Sequence, residues 1–233
     1  MDLGEEVAKA GLDIGTIQLN FDEPFEWASG FRMPIYNDNR IFLFDSECRK
    51  MVDEGLYSMA NGLGFSVIAG TSTAGIPWAR GLADKFGAPM IYVRDKPKSH
   101  GLKNRIEGRG VEEDLDGHYV LLIEDLISTG SSSASAVQAI RDANGICNYC
   151  LSIFDYGFDM ARDIFAGEIP YEESSKIKLN PRCEIKSLVD YSTLITVAEK
   201  TGKITKDQIR MLDEWRKNPF EWGEKHGFPR MER

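Results

Sequence analysis

The stretch Tyr119-Val120-Leu121-Leu122-Ile123-Glu124-Asp125-Leu126-Ile127-Ser128-Thr129-Gly130-Ser131-Ser132-Ser133 decides the fold. An apolar run of strand length delivers two adjacent carboxylates, and a hydroxyl- and glycine-rich turn then opens into a helix. Backbone N–H groups at a helix start, aided by the positive end of its dipole, suit a phosphate. Carboxylates at the strand end suit ribose hydroxyls or a nearby magnesium ion. Two like charges side by side repel and gain a strand nothing. A phosphorylated sugar therefore explains the pair better than a strand, a loop and an ordinary helix cap. No Gly-Lys-Ser/Thr follows, unlike a Walker loop, and the glycine spacing of a dinucleotide site is absent.

Outward from this run, apolar strands alternate with amphipathic helices, which predicts an α/β fold with a parallel sheet and right-handed crossovers. Helices are expected near 46–61, 76–86, 132–143 and 157–166, and strands at 66–70, 89–93, 119–124 and 147–154. Gly62, Gly64 and Gly145 supply stops, and Pro77 suits a first helical turn. This places an α/β core at 45–187. Residues 1–44, with aromatic and Pro/Gly punctuation, read as an N-terminal cap or hood. Residues 188–233 read as a C-terminal helical extension packed on the same domain. Asp190 or Ser192 can cap its first helix and Thr205 its second, with Trp215 and Trp222 as apolar anchors.

Composition narrows the function. A net charge of −9 argues against nucleic acid as a partner. No apolar run approaches the roughly 20 residues that span a bilayer, so no membrane partner is expected. Met1-Asp2-Leu3-Gly4-Glu5-Glu6 has neither the basic start nor the apolar centre of a signal peptide, so a cytoplasmic location is the expectation. Cys147 and Cys150 form a Cys-x-x-Cys pair inside an expected strand, with no second pair or nearby histidine, and read as structural.

Three further segments fall at the ligand edge of such a sheet. Ala69-Gly70-Thr71-Ser72-Thr73-Ala74-Gly75-Ile76-Pro77 is a second anion-loop candidate, its two glycines letting backbone approach a diphosphate. The long polar run from Arg94 to Arg109 gathers cations in an acidic chain and reads as a lid. Its lysines and arginines would stabilise charge building on a departing diphosphate. Phe25 to Arg40 offers aromatics and amides for a base pocket.

In this order and spacing the four pieces resemble the orotate phosphoribosyltransferases, a branch of the type I phosphoribosyltransferases. Val67 to Thr71, Gly75-Ile76-Pro77, Tyr92-Val93-Arg94 and Lys96-Pro97-Lys98-x-His100-Gly101 are specific to that branch. The resemblance implies a three-layer parallel-sheet core and a reaction in which orotate and 5-phosphoribosyl 1-diphosphate (PRPP) give orotidine 5′-phosphate and diphosphate with Mg2+. It implies catalytic roles for Lys98, His100 and Asp125. PRPP would be held by Arg94, Lys96, Lys98, His100, Thr73 and Ala74 on the diphosphate side. Glu124 and Asp125 would hold the ribose hydroxyls, and the turn Leu126, Ile127, Ser128, Thr129, Gly130, Ser131 and Ser132 would cradle the 5-phosphate. Ser128, Tyr36 and Tyr156 would meet orotate. No direct metal ligand is implied, Mg2+ riding mainly on PRPP with Asp125 nearby. Ser131 stands where the family often has a second glycine, and Met33 where serine is usual. Family members are homodimers that share the lid across the interface. Two rivals remain: a phosphoribosyltransferase for another base, and a PRPP-sensing regulator on the same fold.

Overall fold

Asp2 starts the first helix, its carboxylate accepting from Glu5 N at 2.8 Å, and Gly15 ends it with φ 82°. That helix is α1 (Leu3–Ile14), in a computed structural model that describes residues 2–96, 105–110, 114–167 and 179–231. There follow β1 (Ile17–Leu19), β2 (Phe25–Glu26), β3 (Arg32–Met33), β4 (Ile35–Asn37), α2 (Ser46–Ala60), β5 (Val67–Thr71), α3 (Ile76–Phe86) and β6 (Met90–Val93). The rest are β7 (Ile106–Glu107), β8 (Tyr119–Ile127), α4 (Ser131–Asp142), β9 (Ile146–Asp155), α5 (Asp159–Ala166), β10 (Glu184–Asp190), α6 (Tyr191–Lys200), α7 (Lys206–Lys217) and α8 (Pro219–Lys225). The chain divides into two units, Lys50–Leu188 and Met1–Arg49 with Val189–Arg233.

The first unit is built on a six-stranded sheet of order β10-β9-β8-β5-β6-β7. The pairs β9/β8, β8/β5 and β5/β6 are parallel, and β6/β7 is antiparallel. All five residues of β5 are buried, as are Val120 to Glu124 of β8, the near-continuous apolar pattern of parallel strands. Cys147 and Cys150 lie buried in β9 within this core beside Cys183, in keeping with the structural reading. From β5 the chain crosses to β6 on one side, whereas β8 pairs on β5's other side and leads on to β9. The carboxyl ends of β5 and β8 therefore flank the point where strand order reverses, the place where open α/β sheets bind ligands.

In the second unit, β1/β4 and β2/β3 form antiparallel pairs beside α1 and α6 to α8. Trp215 and Trp222 are fully buried, as their anchoring role requires. Trp215 meets Trp27 edge-on at 6.2 Å and donates its Nε1–H to the buried Met33 Sδ at 3.0 Å. A serine at 33 could not fill that space, which accounts for the methionine. Asp190, rather than Ser192, caps α6 by accepting from Thr193 N at 2.7 Å, and Thr205 with Gln208 completes a capping box on α7. No helix among the described residues is long and apolar enough to cross a membrane.

Candidate active site

Strand β8 ends at Ile127, and Ser128-Thr129-Gly130 turns the chain into α4. Gly130 sits at φ 80°, and a Cβ there would meet Ala161 Cα and Cβ at 3.0 Å, so the turn admits no other residue without strain. Ser131 is the first residue of α4 and does not need the left-handed conformation that a second glycine would serve. Among the described residues no side chain caps α4, and its opening N–H groups suit an incoming acceptor. Thr129 Oγ1 and Ser131 Oγ lie 3.1 Å apart beside them, and Ser132 is exposed. Leu126 is half-buried and Ile127 buried, with Tyr156 N donating to the Ile127 carbonyl at 3.1 Å.

The second turn follows β5. Thr71 O accepts from Gly75 N at 3.0 Å, Ser72 N donates to Val93 O at 2.8 Å, and the Ser72–Thr73 peptide is cis. Thr73 is exposed and Ala74 half-buried at its tip, and α3 begins at Ile76 with Pro77 in its first turn. The two glycines also serve a packing need. A Cβ on Gly70 would strike Ile76 Cα at 2.9 Å, and one on Gly75 would collide with Thr71 Oγ1 and come within 2.5 Å of Ile123 O. Both allow protein to pack against protein, and so fix where the turn stands.

Between the two turns lies Glu124, 6% exposed. Its Oε1 accepts from Thr71 Oγ1 at 2.5 Å and from Asp125 N at 3.1 Å, and its Oε2 from Ser133 Oγ at 3.0 Å. Burial, then the neighbouring Asp125 charge, pushes its carboxyl from the ordinary 4.5 up to about 8, against the hydrogen bonds from Thr71 and Ser133. The folded chain thus holds this proton where the unfolded chain has lost it. The resulting stabilisation is full below pH 4.5 and is lost as pH climbs to about 8. A Glu124→Gln variant lacks that titration. Its melting temperature relative to the parent should rise steadily between pH 5 and 8, and parallel melting curves across that range would contradict the assignment.

Asp125 is half-buried, one position nearer the strand's carboxyl end. The roots of the cationic run approach the same edge. Arg94 N donates to Arg105 O and Arg105 Nε to Arg94 O, both at 2.8 Å, while Arg105 Nη1 reaches Ser135 O on α4 at 3.2 Å. Asp95 accepts from Ser132 Oγ at 3.2 Å, and Arg94 Nε donates to Lys96 O at 3.4 Å. The structure thus brings Glu124, Asp125, the 128–132 turn, Thr73, Ala74 and the Arg94–Lys96 root to one sheet edge. Lys98 and His100 lie outside the described residues.

The two tyrosines expected at orotate lie in aromatic clusters. Tyr36 is half-buried in the other unit, its ring 5.7 Å from Phe25. Tyr156 is 1% exposed, stacked on Phe158 at 5.6 Å and edge-on to Phe154 at 5.0 Å. In this structure its ring packs against those two aromatic side chains. Thr71, Ser133 and Arg105 were read only as members of their segments, and strand register was the signal that could have shown the contact Thr71 makes. Gly70 pairs with Ile123, so Thr71 and Glu124 come next to each other across β5 and β8.

A model of the phosphoribosyl transferase domain matches residues 54–152, from within α2 to within β9. The chain is 39% identical over 224 residues to an orotate phosphoribosyltransferase of Cytophaga hutchinsonii, covering 95% of this chain and 99% of that one. Among solved structures it resembles Leishmania donovani UMP synthase with a TM-score of 0.71 and 23% identity, over 92% of this chain and 42% of that one. It also resembles orotate phosphoribosyltransferase from Aeropyrum pernix with a TM-score of 0.67 and 24% identity, over 85% and 99%. At those identities the structural matches speak for the fold.

Proposed function

The chain belongs to the orotate phosphoribosyltransferase family, and from that premise we infer the reaction and the parts that perform it. The enzyme transfers the 5-phosphoribosyl group of PRPP to orotate, giving orotidine 5′-phosphate and diphosphate in pyrimidine biosynthesis. The orotate nitrogen bonds to C1 of the ribose and gives up its proton to the departing diphosphate or to water, while the bond from C1 to the diphosphate oxygen breaks and that oxygen leaves with the electron pair. The ring passes through an oxocarbenium-like state. The observation that carries this reading is the joining of two anion turns through Thr71 and Glu124 at the reversal point of the sheet.

In this reading the 128–132 turn and the start of α4 take the 5-phosphate. Asp125, the more exposed of the two acids, faces the ribose hydroxyls, and Thr73 and Ala74 meet the diphosphate. Arg94, Lys96, Lys98 and His100 neutralise the charge that gathers on it. Among the described residues no cluster of three or more His, Cys, Asp or Glu side chains could cage a metal. Mg2+ would be held by the donor's own oxygens with Asp125 beside it, the setting in which that ion keeps most of its waters. When bound it would offset diphosphate charge. A homodimer with shared lids and a cytoplasmic setting complete the proposal.

Incubating the protein with PRPP and Mg2+ and each of orotate, uracil, hypoxanthine and adenine, while following diphosphate release, tests the assignment. Release is expected with orotate alone. Turnover of a purine in place of orotate, or binding of PRPP without any turnover, would defeat it.

A further inference from the structure

The geometry points to Thr71 and Ser133 as positioning residues. We propose that their hydroxyls clamp Glu124 and thereby hold the diphosphate-side turn and the phosphate-side helix at a fixed separation for PRPP. The inference rests on the reading of the site given above and adds two residues to it. Thr71 is the last residue of β5 and Ser133 lies in the first turn of α4, so the carboxylate between them ties one anion turn to the other. Thr71 and Ser133 are 4% and 2% exposed, and water cannot substitute freely for either.

The clamp works in both protonation states of Glu124. Ionised, the carboxylate accepts both hydroxyl protons, Thr71 on Oε1 at 2.5 Å and Ser133 on Oε2 at 3.0 Å. Protonated, it can donate to Thr71 Oγ1, whose own proton turns to Ile123 O at 3.3 Å. No buried polar atom is orphaned in either case. The Thr71 hydroxyl also borders the far end of its turn, since a Cβ on Gly75 would collide with it. Displacement of Glu124 would thus be felt at Gly75 and at the start of α4 together.

The test compares Thr71→Val, Ser133→Ala, their combination and Thr71→Ser, by calorimetric titration with PRPP and Mg2+ and by steady-state kinetics. Each single variant should weaken PRPP about tenfold, the scale for one buried hydrogen bond, and leave the KM for orotate within about twofold. The combined loss should fall short of the product, because both hydroxyls act through one carboxylate. Thr71→Ser should restore parental PRPP affinity. The proposal is overturned by parental PRPP affinity in both single variants, by equal losses for PRPP and orotate, or by losses that multiply. Should Thr71→Val not fold, Ser133→Ala carries the same comparison. A parent protein that binds PRPP without converting orotate would sink the function assigned above and leave the clamp to stand or fall on the titrations. A parent that does not bind PRPP sinks both.

Discussion

Replacing Lys98 with alanine is expected to lower kcat by about 10²-fold or more, the scale for losing one preorganised contact to developing charge. The leaving diphosphate gains negative charge only as its bond to C1 breaks, so a cation aimed there favours the transition state over bound substrate. The loss should therefore fall mainly on kcat, with the KM for orotate little changed. Parental turnover in the variant would remove Lys98 from the mechanism. Mixing it with an Asp125→Asn variant adds a second outcome. If lids are shared between subunits, hybrid dimers regain one intact site and part of the rate, and no recovery would contradict the sharing.

Gly75→Ala is expected to cost stability and activity together. The new methyl would lie within 2.5 Å of Ile123 O and collide with Thr71 Oγ1, and neither belongs to a flexible side-chain end. Overpacking of this kind costs about 3 kcal/mol, which in a chain of this size lowers the melting temperature by roughly 6–12 °C. Relief would come from moving the 71–75 turn, and a shift of about 1 Å there can cost roughly 10²-fold in rate. A variant with parental melting temperature and parental kcat/KM would show the turn to be more yielding than its contacts imply.

Much of the sheet was legible because its signals are local. Pro77 and Gly87 bracket α3 at 76–86, where the sequence places it, and the apolar runs place β5, β6, β8 and β9 within a few residues. Elements with mixed signals were missed. β10, Glu184–Asp190, is mostly half-buried and shows no clean alternation. β7 is two residues long inside a polar run, and α8 is a seven-residue helix starting at a proline. α1 was missed although Asp2 and Gly15 bracket it, because the reading of 1–44 rested on the aromatics and glycines that follow.

Within the site, the sequence shows which residues carry charge but not what holds them. Glu124 and Asp125 read alike as neighbouring acids, yet one is buried between two hydroxyls and the other half-buried at the strand end. That difference comes from Thr71 on another strand and Ser133 on the next helix, which only the fold brings together. The packing need of Gly70 and Gly75 was not legible either, because their neighbours come from α3 and β8.

A crystal structure with PRPP and Mg2+ bound tests the central claim most directly. The 5-phosphate should lie on the N–H groups of 128–132 and the diphosphate against 72–75, with Asp125 at the ribose hydroxyls. Density for PRPP away from those two turns, or with its phosphates on other elements, would contradict the account.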